Sequence, residues 1–280
     1  MLQTIPLAYK FVMSSLIVAF INHYASRMNM PFSTPLNAEQ QAEHVGIQPP
    51  QCDAIVTLYG GGYREKNYSF GFGFGECTNI FAPFTAYFSI TKLEDDGMAS
   101  FGIPLLYPHE SSNSLMERAS RMKYKIEDTN TLYFIATNYL NALEIDIKKL
   151  EAKHPHGIDK GPFHSNRGLV ASPLVLIYWG KRDVRDPGAD GIAMEFSAVS
   201  GELLELGVGT STGCQLPLIK NLDKLLAISD EEFLKMSDAE HTTLLYRFAN
   251  NNLFPPPQTA TNQVQLNLTT NRIVTTNSPK

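Results

Sequence analysis

The spacing of hydrophobic and polar positions changes several times along this chain, and each change marks a predicted element. Behind Lys10 lies an apolar run, Phe11 to Ile21, interrupted only by Ser14 and Ser15. Its length matches the apolar core of a signal peptide and falls short of the roughly 20 residues that cross a bilayer as a helix. Residues 1–26 are therefore expected to be a signal peptide or N-terminal anchor, with Ala25-Ser26 at the cleavage region, and the chain is expected to be exported (periplasmic or extracellular). Polar residues and Pro31, Pro35, Pro49 and Pro50 then predict a linker over 27–51.

Residues 52–128 read as a β-rich first half. Ala54 to Tyr59 is a short apolar strand, ended by Gly60-Gly61-Gly62. From Tyr68 to Gly75 aromatic and small residues alternate with period two, so the rings face a core and the glycine face admits another backbone. A phosphate-cradling loop needs a tight turn into a helix N-terminus, which an extended alternation does not supply. Thr85 to Leu93 alternates as well and is expected to pair with this strand.

Period three-and-four spacing takes over at residue 129. Leu132, Ala136, Tyr139, Leu140 and Leu143 form one apolar stripe, and Asp146 is placed to cap a second short helix that His154-Pro155 ends. Three strand signals follow, at Leu174–Trp179, Ile192–Ala198 and Glu202–Leu206, the last two joined by Val199-Ser200-Gly201 as a tight hairpin. Ser229-x-x-Glu232 and Ser237-x-x-Glu240 are capping boxes that open two short C-terminal helices. This second unit spans 129–254, and beyond Pro255-Pro256-Pro257 a tail, 255–280, has too little periodicity to fold. The predicted fold class is α+β, with antiparallel sheet or sheets packed by helices.

Composition changes the picture little. A hydrophobic content of 43% supports a buried core, and a net charge of −5 gives no basic footprint for nucleic acid. The densest basic stretch, Arg118 to Lys125, reads as a solvated helix face. Cys52, Cys77 and Cys214 are too widely spaced for a zinc ribbon or a redox pair, and three cysteines cannot all pair within one chain. The alternatives are one bridge with one free thiol, or three buried thiols.

Chemistry-bearing constellations are few. Gly209-Thr210-Ser211-Thr212-Gly213 matches a nucleophile elbow, with His241 as the downstream base. The preceding strand, however, belongs to an antiparallel hairpin, and Cys214-Gln215-Leu216-Pro217 follows where a helix should begin. His154, His156 and His164 are candidate metal ligands that also fit a surface loop around Pro155 and Gly157. Asp183, Asp186 and Asp190 lack the calcium-loop alternation and read as turn residues. Tyr178, Trp179, Asp183 and Asp186 are candidate partner contacts, with Tyr178 and Trp179 on opposite faces of one strand.

The helix carrying Ala136, Tyr139, Leu140 and Leu143, followed by the hairpin Met194 to Leu206 with its Ser200-Gly201-Glu202-Leu203-Leu204 turn, resembles the PepSY module over roughly 131–208. An insertion at His154 to Ser172 departs from that pattern. The resemblance implies a PepSY- or cystatin-like second half and a role in binding or in restraining peptidases. The body, including Ile219 to Leu234, also resembles uncharacterised exported proteins of environmental bacteria. The expectation is a non-catalytic exported binding or structural protein, without cofactor, with a protein or peptide partner and no membrane span after signal cleavage. The alternatives are an exported hydrolase using Ser211 or the histidine loop, and a peptidase-restraining module.

Overall fold

A computed structural model describes residues 4–52, 56–77, 85–92, 128–160, 164–165, 168–169, 174–180, 191–198, 201–209, 214, 216–249 and 253. The first unit runs α1 (Leu7–Tyr24), α2 (Ala38–His44), β1 (Val45–Cys52), β2 (Val56–Glu65), β3 (Tyr68–Cys77) and β4 (Thr85–Lys92). The second runs α3 (Thr129–Ala142), α4 (Ile147–Lys153), β5 (His156–Lys160), β6 (His164–Ser165), β7 (Gly168–Leu169), β8 (Leu174–Trp179), β9 (Ile192–Ser197) and β10 (Leu203–Gly209). Three short helices follow, α5 (Leu222–Leu226), α6 (Asp230–Lys235) and α7 (Asp238–Phe248). The fold is α+β. One antiparallel sheet of eight strands holds both units in the order β1-β2-β3-β4-β10-β9-β8-β5, and β6 and β7 form a separate two-stranded pair.

Strand alternation sets the packed face. Phe70, Phe72 and Phe74 of β3 are buried, flanked on that face by Tyr59 and Tyr63 of β2 and by Phe88 and Ile90 of β4. Leu206 and Val208 continue the layer in β10, followed by Ile192, Met194 and Phe196 in β9 and by Val175, Ile177 and Trp179 in β8. Helix α1 covers the first unit, with Phe20 4.7 Å from Phe88 and 5.0 Å from Phe72 between ring centroids. Helix α3 covers the second, with Leu132, Ala136 and Leu140 buried and Tyr139 set against Phe196.

The apolar run read as an export signal is the centre of α1. Within that helix only Lys10 and His23 are exposed, because the sheet lies on one side and α5, α6 and α7 on the other. A helix enclosed on all sides is apolar on all sides, so its composition is the same as that of a signal-peptide core. Its polar groups are satisfied inside the fold. The Tyr9 hydroxyl accepts from Gly60 N–H at 3.2 Å and reaches the carbonyls of Gln48 and Gly60. Asp230 accepts from Leu7 N–H at 2.9 Å. Burial pushes the Tyr9 hydroxyl well above its ordinary range. No described helix is long and apolar enough to cross a membrane.

Two expectations are corrected. Residues 27–51, read as a linker, contain α2 and most of β1, and Met28, Met30, Phe32 and Leu36 are buried. Prolines were a poor guide there because Pro49 and Pro50 sit in an edge strand, where a missing N–H costs nothing on the free side. The glycines expected to end the first strand lie inside β2. A Cβ on Gly60 would stand 2.2 Å from the Phe72 carbonyl oxygen, so glycine there permits close approach of β3. Gly60→Ala should cost at least ~3 kcal/mol, beyond ordinary overpacking, while Gly46→Ala, with nothing within 4 Å, should be near neutral. Chemical denaturation of the two variants compares them.

The helix stripe, the Asp146 cap and the hairpin are as expected. Asp146 accepts from Lys149 N–H at 3.1 Å, and Gly201 takes a positive φ of 76°. The Ser237 box is reciprocal, whereas Ser229 accepts from Glu232 N–H without a return bond. Ser237→Ala should therefore lower stability by ~1 kcal/mol, read as a small drop in denaturation midpoint. A further box, Asn37 with Gln40, opens α2.

Candidate functional site

The most connected polar group among the described residues is one carboxylate at the free end of the second unit. Helix α4 carries Glu151 under β5, with α3 beside it and β8 beyond. Glu151 Oε1 accepts from the Trp179 indole N–H at 2.7 Å and from the Tyr133 hydroxyl at 2.9 Å, and lies 2.9 Å from His156 Nδ1. Its second oxygen accepts from the His156 backbone N–H at 3.3 Å. The Tyr133 ring packs 4.4 Å from the imidazole between centroids. Trp179 is 0% exposed, whereas the Glu151 and His156 side chains are 28% and 38% exposed. The site is thus buried at the indole and open at the imidazole.

Partial burial alone would raise the Glu151 carboxyl. The hydrogen bonds from Trp179, His156 and Tyr133 reverse this and hold it below the ordinary carboxylate range. In a neutral imidazole, donation from Nδ1 to that carboxylate leaves Nε2 as the acceptor. On the other side of β8 and β5, Tyr178 lies over Gly157, where a Cβ would meet its ring carbon at 2.3 Å. Chemically the cluster can present an oriented imidazole acceptor and the main-chain edge of β5.

The sequence candidates fall out as follows. His156 joins this cluster. His154 lies between α4 and β5, and its Nε2 is buried without a hydrogen-bond partner among the described residues. His164 is in β6, opposite Leu169. No three His, Cys, Asp or Glu among the described residues are grouped to hold a metal ion. Ser211, Asp183 and Asp186 lie outside the described residues, as do Arg118 to Lys125 and the 255–280 tail. His241 is tied elsewhere, with Nε2 3.0 Å from the Phe233 carbonyl and its ring stacked on Phe233 at 4.4 Å. Trp179 is a core residue and is corrected as a surface contact, since its indole faces α3 and α4. Tyr178 is half-buried on the opposite face. Cys52 and Cys214 are free thiols, the first exposed and the second buried, with burial pushing Cys214 up to about 12.

Sequence reasoning missed Glu151 and Tyr133. Glu151 stands among Lys148, Lys149 and Lys153 and looks like a solvated helix position; only the fold brings an indole and an imidazole to it. It also missed the pairing of Glu195 with Glu205, which face each other across β9 and β10 on the second side of the sheet, at 9% and 3% exposure. Two carboxylates so placed repel when both are ionised, and both residues make further interactions. A third polar group joins the units: Glu144, at the end of α3, accepts from Arg27 and lies 3.4 Å from His23 Nε2. The Arg27 hydrogen bond lowers the Glu144 carboxyl below its usual range, against partial burial.

No family model, curated protein or solved structure matches this chain.

Proposed function

We propose that this chain is a non-catalytic binding protein that takes an extended segment of a partner protein along the outer edge of β5. The observation that carries the reading is the difference between the two edges of the sheet. At one edge, β1 contains Pro49-Pro50 and its register with β2 shifts between Gln48 and Gln51. Prolines and bulges are the usual means of keeping an edge from pairing. At the other edge, β5 holds an unbroken register with β8, from His156 facing Trp179 to Lys160 facing Val175, and contains no proline. Among the described residues, no strand pairs with its other side. On that side the His156 N–H already donates to Glu151, so an added strand would take main-chain hydrogen bonds at Ile158, with alternate side chains meeting His156 on one face and Tyr178 on the other.

The test is selection from a peptide display library with the full chain as bait. Enriched peptides should slow amide exchange at Ile158, and Ile158→Pro should weaken their binding while Gln48→Ala at the opposite edge leaves it unchanged. Peptides that bind but protect only other strands would overturn the reading. Burial alone accounts for the apolar run Phe11 to Ile21, so the proposal does not depend on export. Cell fractionation with N-terminal sequencing tests the compartment, and a chain recovered with residues 1–26 attached fits the enclosed α1.

The peptidase-restraining reading is favoured by one feature, the β9–β10 hairpin with Gly201 at its turn behind α3. It predicts slower turnover of a co-encoded peptidase when the purified protein is added, and unchanged turnover counts against it.

A further inference from the structure

We infer that the chain is an internal duplication: residues 7–92 and 129–209 are two copies of one α-α-β-β-β-β unit, joined edge to edge about a pseudo-twofold axis through the Ser89–Gly207 pair. The element order supports this first. Each unit is a longer helix, a short helix and a four-stranded antiparallel meander, and β6 and β7 lie within the β5–β8 connection of the second.

Strand register sets the residue equivalences. In the first unit Val45 faces Tyr63, Tyr63 faces Phe70, and Phe70 faces Ile90. In the second, His156 faces Trp179, Trp179 faces Ile192, and Ile192 faces Val208. These chains of facing residues give the equivalences Val45 with His156, Tyr63 with Trp179, Phe70 with Ile192 and Ile90 with Val208. The junction then places the axis. There, Ile90 faces Leu206 and Phe88 faces Val208. Exchanging each residue for its equivalent turns the first of these pairs into the second. Ser89 and Gly207, equivalent to each other, also face each other. Any antiparallel junction maps onto itself under such an exchange; what this register fixes is that the axis falls on a facing pair, so the buried residues of both units lie on one face of the sheet. Two copies of one unit that pair as a twofold dimer have this arrangement.

An axis perpendicular to the sheet also keeps both helical layers on the same face, where α1 and α3 are found. Traces remain in the sequence. Val45-Gly46-Ile47 and His156-Gly157-Ile158 are equivalent and share Gly-Ile, and Phe74 is equivalent to Phe196. In each unit the aromatic residue beside the edge strand is tied to the short helix. Trp179 donates to Glu151 of α4, while Tyr63 donates to Glu65, which Gln40 of α2 also reaches at 3.0 Å. Where the second unit has a carboxylate and an imidazole, the first has Gln40 and Val45.

The experiment is a crystal structure of the full chain together with cross-strand NOEs in solution. Superposing 56–92 on 174–209 by the equivalences above should need one rotation close to 180° that carries Ser89 onto Gly207 and Gly207 onto Ser89. The NOEs should link Phe88 with Val208 and Ile90 with Leu206. A superposition of the strands that requires a rotation far from 180°, or that leaves α1 and α2 away from α3 and α4, would overturn the duplication. A full-length permutant that begins at residue 129 and carries 1–128 after 280 is a second test. It should give the same NOE pairs, because the axis makes the order of units indifferent, and loss of the β4–β10 contacts in a folded permutant would count against it.

Discussion

Removal of residues 1–26 should leave a chain that no longer unfolds cooperatively. Nine side chains of α1, from Ala8 to Tyr24, have no exposed surface. At roughly 1.5–3 kcal/mol for each large apolar side chain, their loss is on the order of 15 kcal/mol, even after allowing for a compact unfolded chain. That is as large as the whole stability of an ordinary domain. The deletion would also strip the rings of Phe72 and Phe88 of their cover and leave Gly60 without the Tyr9 hydroxyl. Circular dichroism and thermal melting of the shortened chain read this directly. A graded version is Phe20→Ala, expected to cost ~3–5 kcal/mol. A shortened chain that melts cooperatively near the wild-type temperature would show α1 to be dispensable.

The same helix shows what sequence patterning can and cannot deliver. Strands β3, β8 and β9, helix α3 and the Ser237 box were legible because each is specified locally, by period, by a cap or by a turn residue. Whether the Phe70–Phe74 strand shares a sheet with the later hairpin was not legible. That depends on the β4–β10 junction, between residues more than a hundred positions apart. Helix α1 was seen as an apolar segment but not placed, since enclosure by protein and passage through an export channel ask for the same composition. The site followed the same division. His156 could be singled out by type, but Glu151, Tyr133 and Trp179 become neighbours only when α3, α4 and β8 converge. Trp179 looked like an anchor because aromatic residues beside loops often are. The alternation of β8 gave it a face, and only the position of α3 decided that this face was the covered one.

Substitution of Glu151 should then have two separable effects. Glu151→Leu removes the acceptor shared by the Trp179 indole, the Tyr133 hydroxyl and His156 Nδ1. The indole is buried and cannot turn to water, so a cost of about 2–4 kcal/mol follows from leaving donors unmet. Trp179 is the only tryptophan, which makes its emission a local report on this cluster as well as on global unfolding. Glu151→Gln keeps the shape and one acceptor oxygen and should cost less, but it removes the charge. The pH dependence separates the two. The Glu151 carboxyl sits below the ordinary carboxylate value of about 4.5 in the folded chain, so the unfolded chain binds the extra proton first as pH falls. The stabilisation is therefore fully present above about pH 4.5 and is lost as pH drops through the folded value. In that window wild-type stability should fall more steeply with acid than that of Glu151→Gln. Denaturant titrations followed by Trp179 emission at pH 3.5–7 measure both curves. Parallel curves across the acid window would mean that Glu151 does not titrate there as the three hydrogen bonds require.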